Sequence, residues 1–142
     1  MSASPPESSI VLLIRLSKAV YRHASEDALG IRLKEFVMLS NLRDGARAQS
    51  ELCAAMHIDP NNCVLLLNDL EAAGHAERKR DPADRRRHIV EITPAGRKAL
   101  VRAERALEGL EGEVLGALSA DERAVLRDLL SRAFAGEQAA AA

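Results

Sequence analysis

A strongly basic turn between two short strand-like segments limits the folds open to this chain more than any other feature of its sequence. From residue 78 to residue 88 the chain reads RKRDPADRRRH, which holds six Lys or Arg and two Asp. The flanking segments, Ala76–Arg80 and His88–Ile92, have the composition of short strands, and the Asp and Pro between them favour a turn. The sequence therefore predicts a β-hairpin with a basic tip, called the wing below.

The rest of the chain has the composition and spacing of helices. Ala and Leu are abundant and only 2% of the 142 residues are aromatic, and Ala and Leu lose little side-chain freedom in a helix. Apolar residues recur at helical spacing from residue 8 to 24 and from 33 to 42. Because a chain of this length is short for two cores, we expect one folding unit, mostly α with a small β-hairpin wing.

Two helices separated by a short turn precede the wing. The first covers residues 49–56, and the second begins near Asn61. Asp59 fits the N-cap of the second helix and Pro60 fits its first position, where a missing N–H costs nothing. Gly74 follows where a left-handed residue ends a helix. A helix-turn-helix directly before a basic hairpin predicts a winged helix-turn-helix, with the second helix as the recognition helix.

Two further helices follow the wing. Thr93 and Pro94 are the N-cap and first residue of a long helix. Its apolar positions alternate spacings of three and four, a seam typical of packing against another long helix. Ser119 and Glu122 have the spacing of a capping box, which predicts the start of the last helix. The residues of the seam are Leu100, Ala103, Leu107, Leu110 and Val114.

Charge and apolar runs exclude several classes of protein. The net charge of -1 would argue against a polyanion partner, but the basic wing can act locally because the C-terminal part is acidic. No apolar run approaches the roughly 18 residues of a membrane span, and no signal peptide is visible. We therefore expect a cytoplasmic protein without membrane contact. No nucleophile with a nearby base, phosphate-binding loop or acid pair indicates an enzyme, and no cofactor is predicted.

The cysteines and histidines predict neither a disulfide nor a metal site. Cys53 and Cys63 lie ten residues apart on apolar faces of predicted helices, where free cysteines behave as small hydrophobic residues. They do not form a CxxC motif or pair with histidines at zinc spacing. We expect unpaired thiols, and the sequence leaves open whether either one is redox-active.

Two stretches resemble the multiple antibiotic resistance regulator (MarR) family. Residues 81–100, DPADRRRHIVEITPAGRKAL, resemble its wing signature, and residues 68–78, NDLEAAGHAER, resemble the end of its recognition helix. The positions in register are Asp84, Arg86, Thr93, Gly96 and Arg97. The resemblance covers nearly the whole chain and implies that the first helix and the last two build a homodimer. The implied division is a flexible tail (1–7), an N-terminal dimerisation helix (8–32), a winged helix-turn-helix (33–98), C-terminal dimerisation helices (99–136) and a flexible tail (137–142).

The wing side chains are predicted to contact the DNA backbone and minor groove. Arg86 carries a permanent charge that suits the negative potential of a narrow minor groove, and Asp84 can hold it by an ion pair. The alternative is a solvated basic hairpin, whose exposed pairs contribute little. The residues expected to bind phosphates are Lys79, Arg80, Arg85 and Arg87.

The recognition helix is predicted to enter the major groove. Asn61 and Asn62 can pair with adenine, and Leu65 can meet a thymine methyl; the alternative is that both asparagines only cap the helix. Val64, Leu65 and Asp69 replace the Ser, Thr or Arg that the family often has, so fewer hydrogen bonds to bases are expected. The full predicted set on this helix is Pro60, Asn61, Asn62, Val64, Leu65 and Asn68.

The resemblance also implies an effector site, since many relatives bind small aromatic acids between the dimer helices and the DNA-binding part. Tyr21, Arg22, His23 and Met38 are the candidates, with Arg22 or His23 taking a carboxylate. The alternative is that Tyr21 belongs to the core while Arg22 and His23 face water.

The function expected from these features is sequence-specific regulation of transcription. A homodimer would place two recognition helices roughly 34 to 36 Å apart on a pseudo-palindromic operator in double-stranded DNA. We expect a repressor relieved by a small-molecule effector. The alternative is a winged-helix module for protein contacts, with the wing serving an acidic partner.

Overall fold

The computed structural model describes residues 6–141 and confirms the predicted fold class, mostly α with a small β-hairpin wing. Of the predicted tail at 1–7, residues 1–5 lie outside the described residues. The elements in chain order are α1 (Ser9–His23), α2 (Glu26–Leu29), α3 (Leu33–Asn41), β1 (Arg47–Ala48), α4 (Gln49–Ala55), α5 (Pro60–Ala72), β2 (Ala76–Arg80), β3 (His88–Ile92), α6 (Pro94–Val114) and α7 (Ala120–Ala141).

The wing is an antiparallel hairpin with the predicted bounds. β2 pairs with β3 from Ala76 opposite Ile92 to Arg80 opposite His88. The two-residue strand β1, which the sequence analysis missed, pairs with the other edge of β3 and gives the order β1-β3-β2. Two residues are too short to show an alternating pattern, but β1 fixes the wing to the start of α4.

Local caps set the ends of the helices around the wing. The Asp59 carboxylate accepts the Asn62 N–H at 3.0 Å and begins α5 as predicted. The Thr93 hydroxyl accepts the Gly96 N–H at 3.0 Å and donates to the Gly74 carbonyl at 2.6 Å. Thr93 therefore caps α6 and also ties its start to the turn that ends α5.

One core fills the space between α2, α3, α4, α5, β3 and α6. Its fully buried large side chains are Leu29, Met38, Leu39, Leu42, Leu52, Leu67, Leu70 and Val90. Neither α1 nor α7 has a buried residue. Large apolar side chains of these two helices remain exposed, among them Ile10, Leu12, Leu13, Ile14, Val125, Leu129, Leu130 and Phe134. Among residues 6–141, no helix is long and apolar enough to cross a membrane.

The last helix is longer than the sequence analysis predicted. α7 continues to Ala141, through most of the predicted flexible tail at 137–142. The alanines of this segment have the highest helix propensity of any residue, so they extend the helix even though they pack against nothing.

The prediction of unpaired thiols is wrong. Cys53 of α4 and Cys63 of α5 form a disulfide, with Cα atoms 5.8 Å apart. The turn between the helices reverses the chain, and His57 adopts a left-handed conformation there, with φ of 53°. The apolar faces of α4 and α5 therefore meet, although ten residues separate the two sulfurs along the chain.

Candidate nucleic-acid interface

The recognition helix α5 presents the predicted contact residues to solvent. Its inner side is closed by four buried residues, Cys63, Leu66, Leu67 and Leu70. Leu65 is 60% exposed and Val64 is 37% exposed. Pro60, Asn61, Asn62 and Asn68 are exposed as well. All six candidates thus lie on the surface of one helix.

The three asparagines of α5 differ in how much hydrogen-bonding capacity they retain. The Asn62 amide donates to Asp59 at 2.6 Å and is used in the cap. The Asn68 carbonyl accepts from the Arg78 guanidinium. Within residues 6–141, the Asn61 side chain shows no such bond. Asn61 therefore has the freest amide for reading a base.

The negative charge of Asp69 on the recognition helix is compensated inside the chain. Its carboxylate accepts from Nη2 of Arg32 at 2.7 Å, and Nε of Arg32 donates to the nearly buried Glu35 at 3.1 Å. The hydrogen bond to Glu35, followed by the one to Asp69, raises the pKa of Arg32. Asp69 therefore opposes nearby phosphates less than its charge alone would indicate. Sequence reasoning missed this pair because 37 residues separate its members.

The wing tip holds an arginine in the arrangement that the sequence predicted. The Arg86 Nε donates to Oδ1 of Asp84 at 3.1 Å, and the Arg86 N–H donates to the same oxygen at 3.1 Å. These two bonds, the side-chain one first, lower the pKa of Asp84. The Arg86 side chain is nevertheless 91% exposed. Its guanidinium is oriented by Asp84 and remains open to a ligand.

The other basic residues of the wing fall into two groups. Arg80 donates to the Arg85 carbonyl at 2.7 Å, and Lys79 lies 3.3 Å from Glu91, so both take part in the hairpin itself. Arg85 and Arg87 are exposed beside Arg86. Arg87 also lies 3.7 Å from Glu51 of α4, a long contact that leaves its guanidinium accessible.

An open groove joins the wing to the helix-turn-helix. Its volume is about 470 Å³, and we call it the wing groove. The residues lining it come from α4, from the turn with the start of α5, and from the wing: Gln49, Ser50, Cys53, Ala54, Ile58, Pro60, Arg86, Arg87 and His88. The basic wing tip and the start of the recognition helix therefore lie on the same side of the molecule.

A second groove, mostly apolar, lies between α1, α3 and the helix-turn-helix. Its volume is about 520 Å³, and we call it the α1–α3 groove. Of the described residues lining it, Lys34 alone carries a charge. The full lining is Ser17, Val20, Tyr21, Leu33, Lys34, Val37, Met56, Ile58 and Leu66.

Only one of the four predicted effector residues lines this groove. Tyr21 does, whereas Met38 is fully buried in the core. Arg22 and His23 are turned away, because each step along a helix rotates the side chain by roughly 100°. His23 instead contacts Glu113 at 3.1 Å. Lys34 was missed, although its place beside the apolar Leu33 and Val37 was a usable signal.

The sequence is similar to known transcriptional regulators. The MarR family model matches residues 29–87. A putative regulatory protein for the hcr operon of Thauera aromatica is 38% identical over 61% of this chain, but the match spans only 52% of that relative's length. The transcriptional repressor NicR of Pseudomonas putida is 32% identical over 82% of this chain and 78% of its own length.

Solved structures share the fold over almost the whole chain. The apo form of MarR from E. coli matches with a TM-score of 0.81 and 23% identity, covering 92% of this chain and 98% of MarR. A mutant of the same protein complexed with operator DNA matches with a TM-score of 0.72 and 25% identity, covering 86% of this chain and 90% of the mutant. BpsR of Bordetella bronchiseptica, whose DNA binding is regulated by 6-hydroxynicotinic acid, matches with a TM-score of 0.71 and 28% identity. This match covers 89% of this chain and 98% of BpsR. Together with the match to NicR, these findings show that the chain belongs to the MarR family of DNA-binding transcriptional regulators.

Proposed function

We propose that this protein is a homodimeric repressor that binds a pseudo-palindromic operator and is released by a small aromatic acid. The observation that carries the proposal is the exposed Arg86 guanidinium, held by Asp84 beside the start of the recognition helix. A planar charged group placed in this way suits a narrow minor groove, while α5 suits the adjacent major groove.

The dimer is supported by the uncovered apolar faces of α1 and α7. A folded monomer seldom exposes a continuous apolar surface of this kind. An apolar groove of about 300 Å³ also runs between α1, α6 and α7, with Leu13, Val114 and Leu130 among its lining residues. A second copy that inserts its own α1 and α7 would cover these faces and fix the spacing of the two recognition helices. The proposal therefore keeps 8–32 and 99–136 as the dimerisation segments.

The roles of individual residues follow from their exposure. Asn61, Val64 and Leu65 are proposed to meet base edges, with Pro60, Asn62 and Asn68 at the border of the contact. Arg86 is proposed to enter the minor groove. Arg85 and Arg87 are proposed to bind phosphates, because they are exposed. Lys79 and Arg80 are proposed to contribute mainly to the positive electrostatic potential of the wing, since their side chains bind other wing residues.

Release by an aromatic acid is supported by the α1–α3 groove. It combines an apolar lining with one cation, Lys34, and with the aromatic Tyr21 at its edge. A small aromatic carboxylate needs this combination. The groove lies against Met56 and Ile58 at the end of α4 and in the turn, so an occupant there would press on the helix-turn-helix. The names of two relatives support repression and release by an aromatic acid. NicR is named a repressor, and DNA binding by BpsR is regulated by 6-hydroxynicotinic acid.

The proposal is tested by selecting DNA from a random duplex library with the purified full-length protein. We expect enrichment of an inverted repeat whose half-sites lie about 10 base pairs apart, bound by two chains per duplex. A promoter carrying that repeat should be silenced by the protein in a reporter assay. Enrichment of no sequence would contradict the proposal and favour contacts with an acidic protein partner. Activation of the reporter would contradict the repressor role but not sequence-specific binding to DNA.

A further inference from the structure

The Cys53–Cys63 disulfide links the two helices of the helix-turn-helix. The ring that it closes contains the end of α4, the left-handed His57 and the first residues of α5. Those residues include Pro60, Asn61 and Asn62, which belong to the proposed DNA contact. The bond thus constrains the part of the chain that positions the start of the recognition helix.

The two cysteine residues differ in exposure. Cys63 is fully buried, whereas Cys53 is 8% exposed and lines the wing groove. Arg86, Arg87 and His88 line the same groove. Positive charge favours the thiolate form of a cysteine, both as a nucleophile and as a leaving group. The bond therefore borders an open groove on the Cys53 side, and the basic residues there favour Cys53 as the nucleophile in oxidation and as the leaving group in the second step of reduction.

We propose that Cys53 and Cys63 form a reversible redox site that adjusts DNA affinity, with the disulfide form binding DNA more tightly. In the reductive direction, the thiolate of a small thiol attacks Sγ of Cys53, the S–S bond breaks, and Cys63 leaves and takes up a proton. A second small thiol attacks the mixed disulfide and releases Cys53. Two small thiols are thereby oxidised to one disulfide, and a small disulfide reverses both steps.

The loss of this constraint gives the direction. Without the bond, the start of α5 is held to α4 only by packing and by its cap, so DNA binding must also order this segment. This ordering cost weakens binding of the reduced form. We expect a loss of about tenfold in affinity, the equivalent of roughly 1.4 kcal/mol.

The test compares the full-length protein before and after treatment with dithiothreitol. The probe is a fluorescent duplex enriched by selection with each form, and affinity is read from anisotropy. Intact mass after alkylation should show no alkylated thiol before reduction and two after it. The double variant Cys53→Ala with Cys63→Ala is the control, and its affinity should not respond to the reductant. Oxidised glutathione should restore the affinity of the reduced wild type.

The single variants test which sulfur is attacked. In the folded Cys63→Ala variant, the remaining Cys53 should react rapidly with iodoacetamide, whereas Cys63 in Cys53→Ala should react at least tenfold more slowly. Circular dichroism checks that each variant is folded. Equal affinity in both redox states, two alkylated thiols without reductant, or reduction only in denaturant would each overturn the proposal. If neither redox state bound any duplex, the proposed effect of the disulfide on DNA affinity would be overturned. The thiol counts would still show whether the disulfide forms.

Discussion

Gly96 offers a sharp test of how the wing is joined to the long helix. A Cβ at this position would overlap the backbone carbonyl of His75 and lie 2.9 Å from Cγ1 of Ile92. The carbonyl cannot rotate away as a side chain could, because it accepts the Thr93 N–H at 3.1 Å. The Gly96→Ala substitution therefore has to displace the start of α6 from the turn after α5 and from β3.

The expected cost follows from what that displacement removes. Overpacking of a close contact costs about 1 to 3 kcal/mol. Weakening the two bonds that Thr93 makes to His75 and Gly74 adds about 0.5 to 1.5 kcal/mol for each. The better helix propensity of Ala returns less than about 1 kcal/mol. Together these terms lower the free energy of unfolding by about 1 to 6 kcal/mol.

The assay is urea unfolding followed by circular dichroism, at one fixed protein concentration because a dimer's stability depends on it. Gly109→Ala is the matched control, since it makes the same change in the same helix where, in the single chain, no atom beyond the neighbouring helix backbone lies within 4 Å of the added Cβ. It should stabilise the protein by up to about 1 kcal/mol. A Gly96→Ala variant as stable as the wild type would refute the packing argument.

Three further predictions concern the dimer, the effector and the wing. Leu129→Asp places a charge on the apolar face of α7, where Leu129 is 51% exposed in the single chain. This variant should be monomeric in sedimentation analysis, and an unchanged dimer would contradict the proposed interface. Lys34→Met should abolish the proposed release of DNA by a small aromatic acid, probed with 6-hydroxynicotinic acid, without changing DNA affinity measured by anisotropy. Release equal to that of the wild type would exclude Lys34 as the cation. The carboxyl of Asp84 should titrate below 3.8 by NMR, so its pair with Arg86 persists above that pH and is lost as the pH falls through the lowered pKa. In Arg86→Ala the titration should return towards the ordinary value, and no change would contradict the pair.

The parts of the fold that sequence could predict depend on local signals. The wing strands were placed residue for residue because a short strand pattern flanks a turn of Asp and Pro. The caps at Asp59 and Thr93, and the capping box of Ser119 with Glu122, join residues only three apart. The Asp84–Arg86 pair spans two residues. Each of these contacts can form before the rest of the chain has a defined structure.

The parts that sequence could not predict depend on how distant elements pack. The Arg32–Asp69 pair forms only once α3 lies beside α5, and the disulfide only once the turn at His57 has reversed the chain. Met38 was assigned to the effector site by the family resemblance, whereas the structure places its side chain in the core. Those contacts required the three-dimensional structure.

Arg86, oriented by Asp84, is proposed to supply part of the DNA affinity of this regulator. The most direct test of this role is anisotropy with the selected duplex across a salt series, for the wild type, Arg86→Ala and the control Lys98→Ala, which removes an exposed charge of α6. Each dimer loses two arginines, so Arg86→Ala should weaken binding by about 1 to 3 kcal/mol for each wing, and the salt slope should fall by about 0.9 for each wing. Lys98→Ala should change neither quantity. Wild-type affinity and salt slope in Arg86→Ala would contradict the claim.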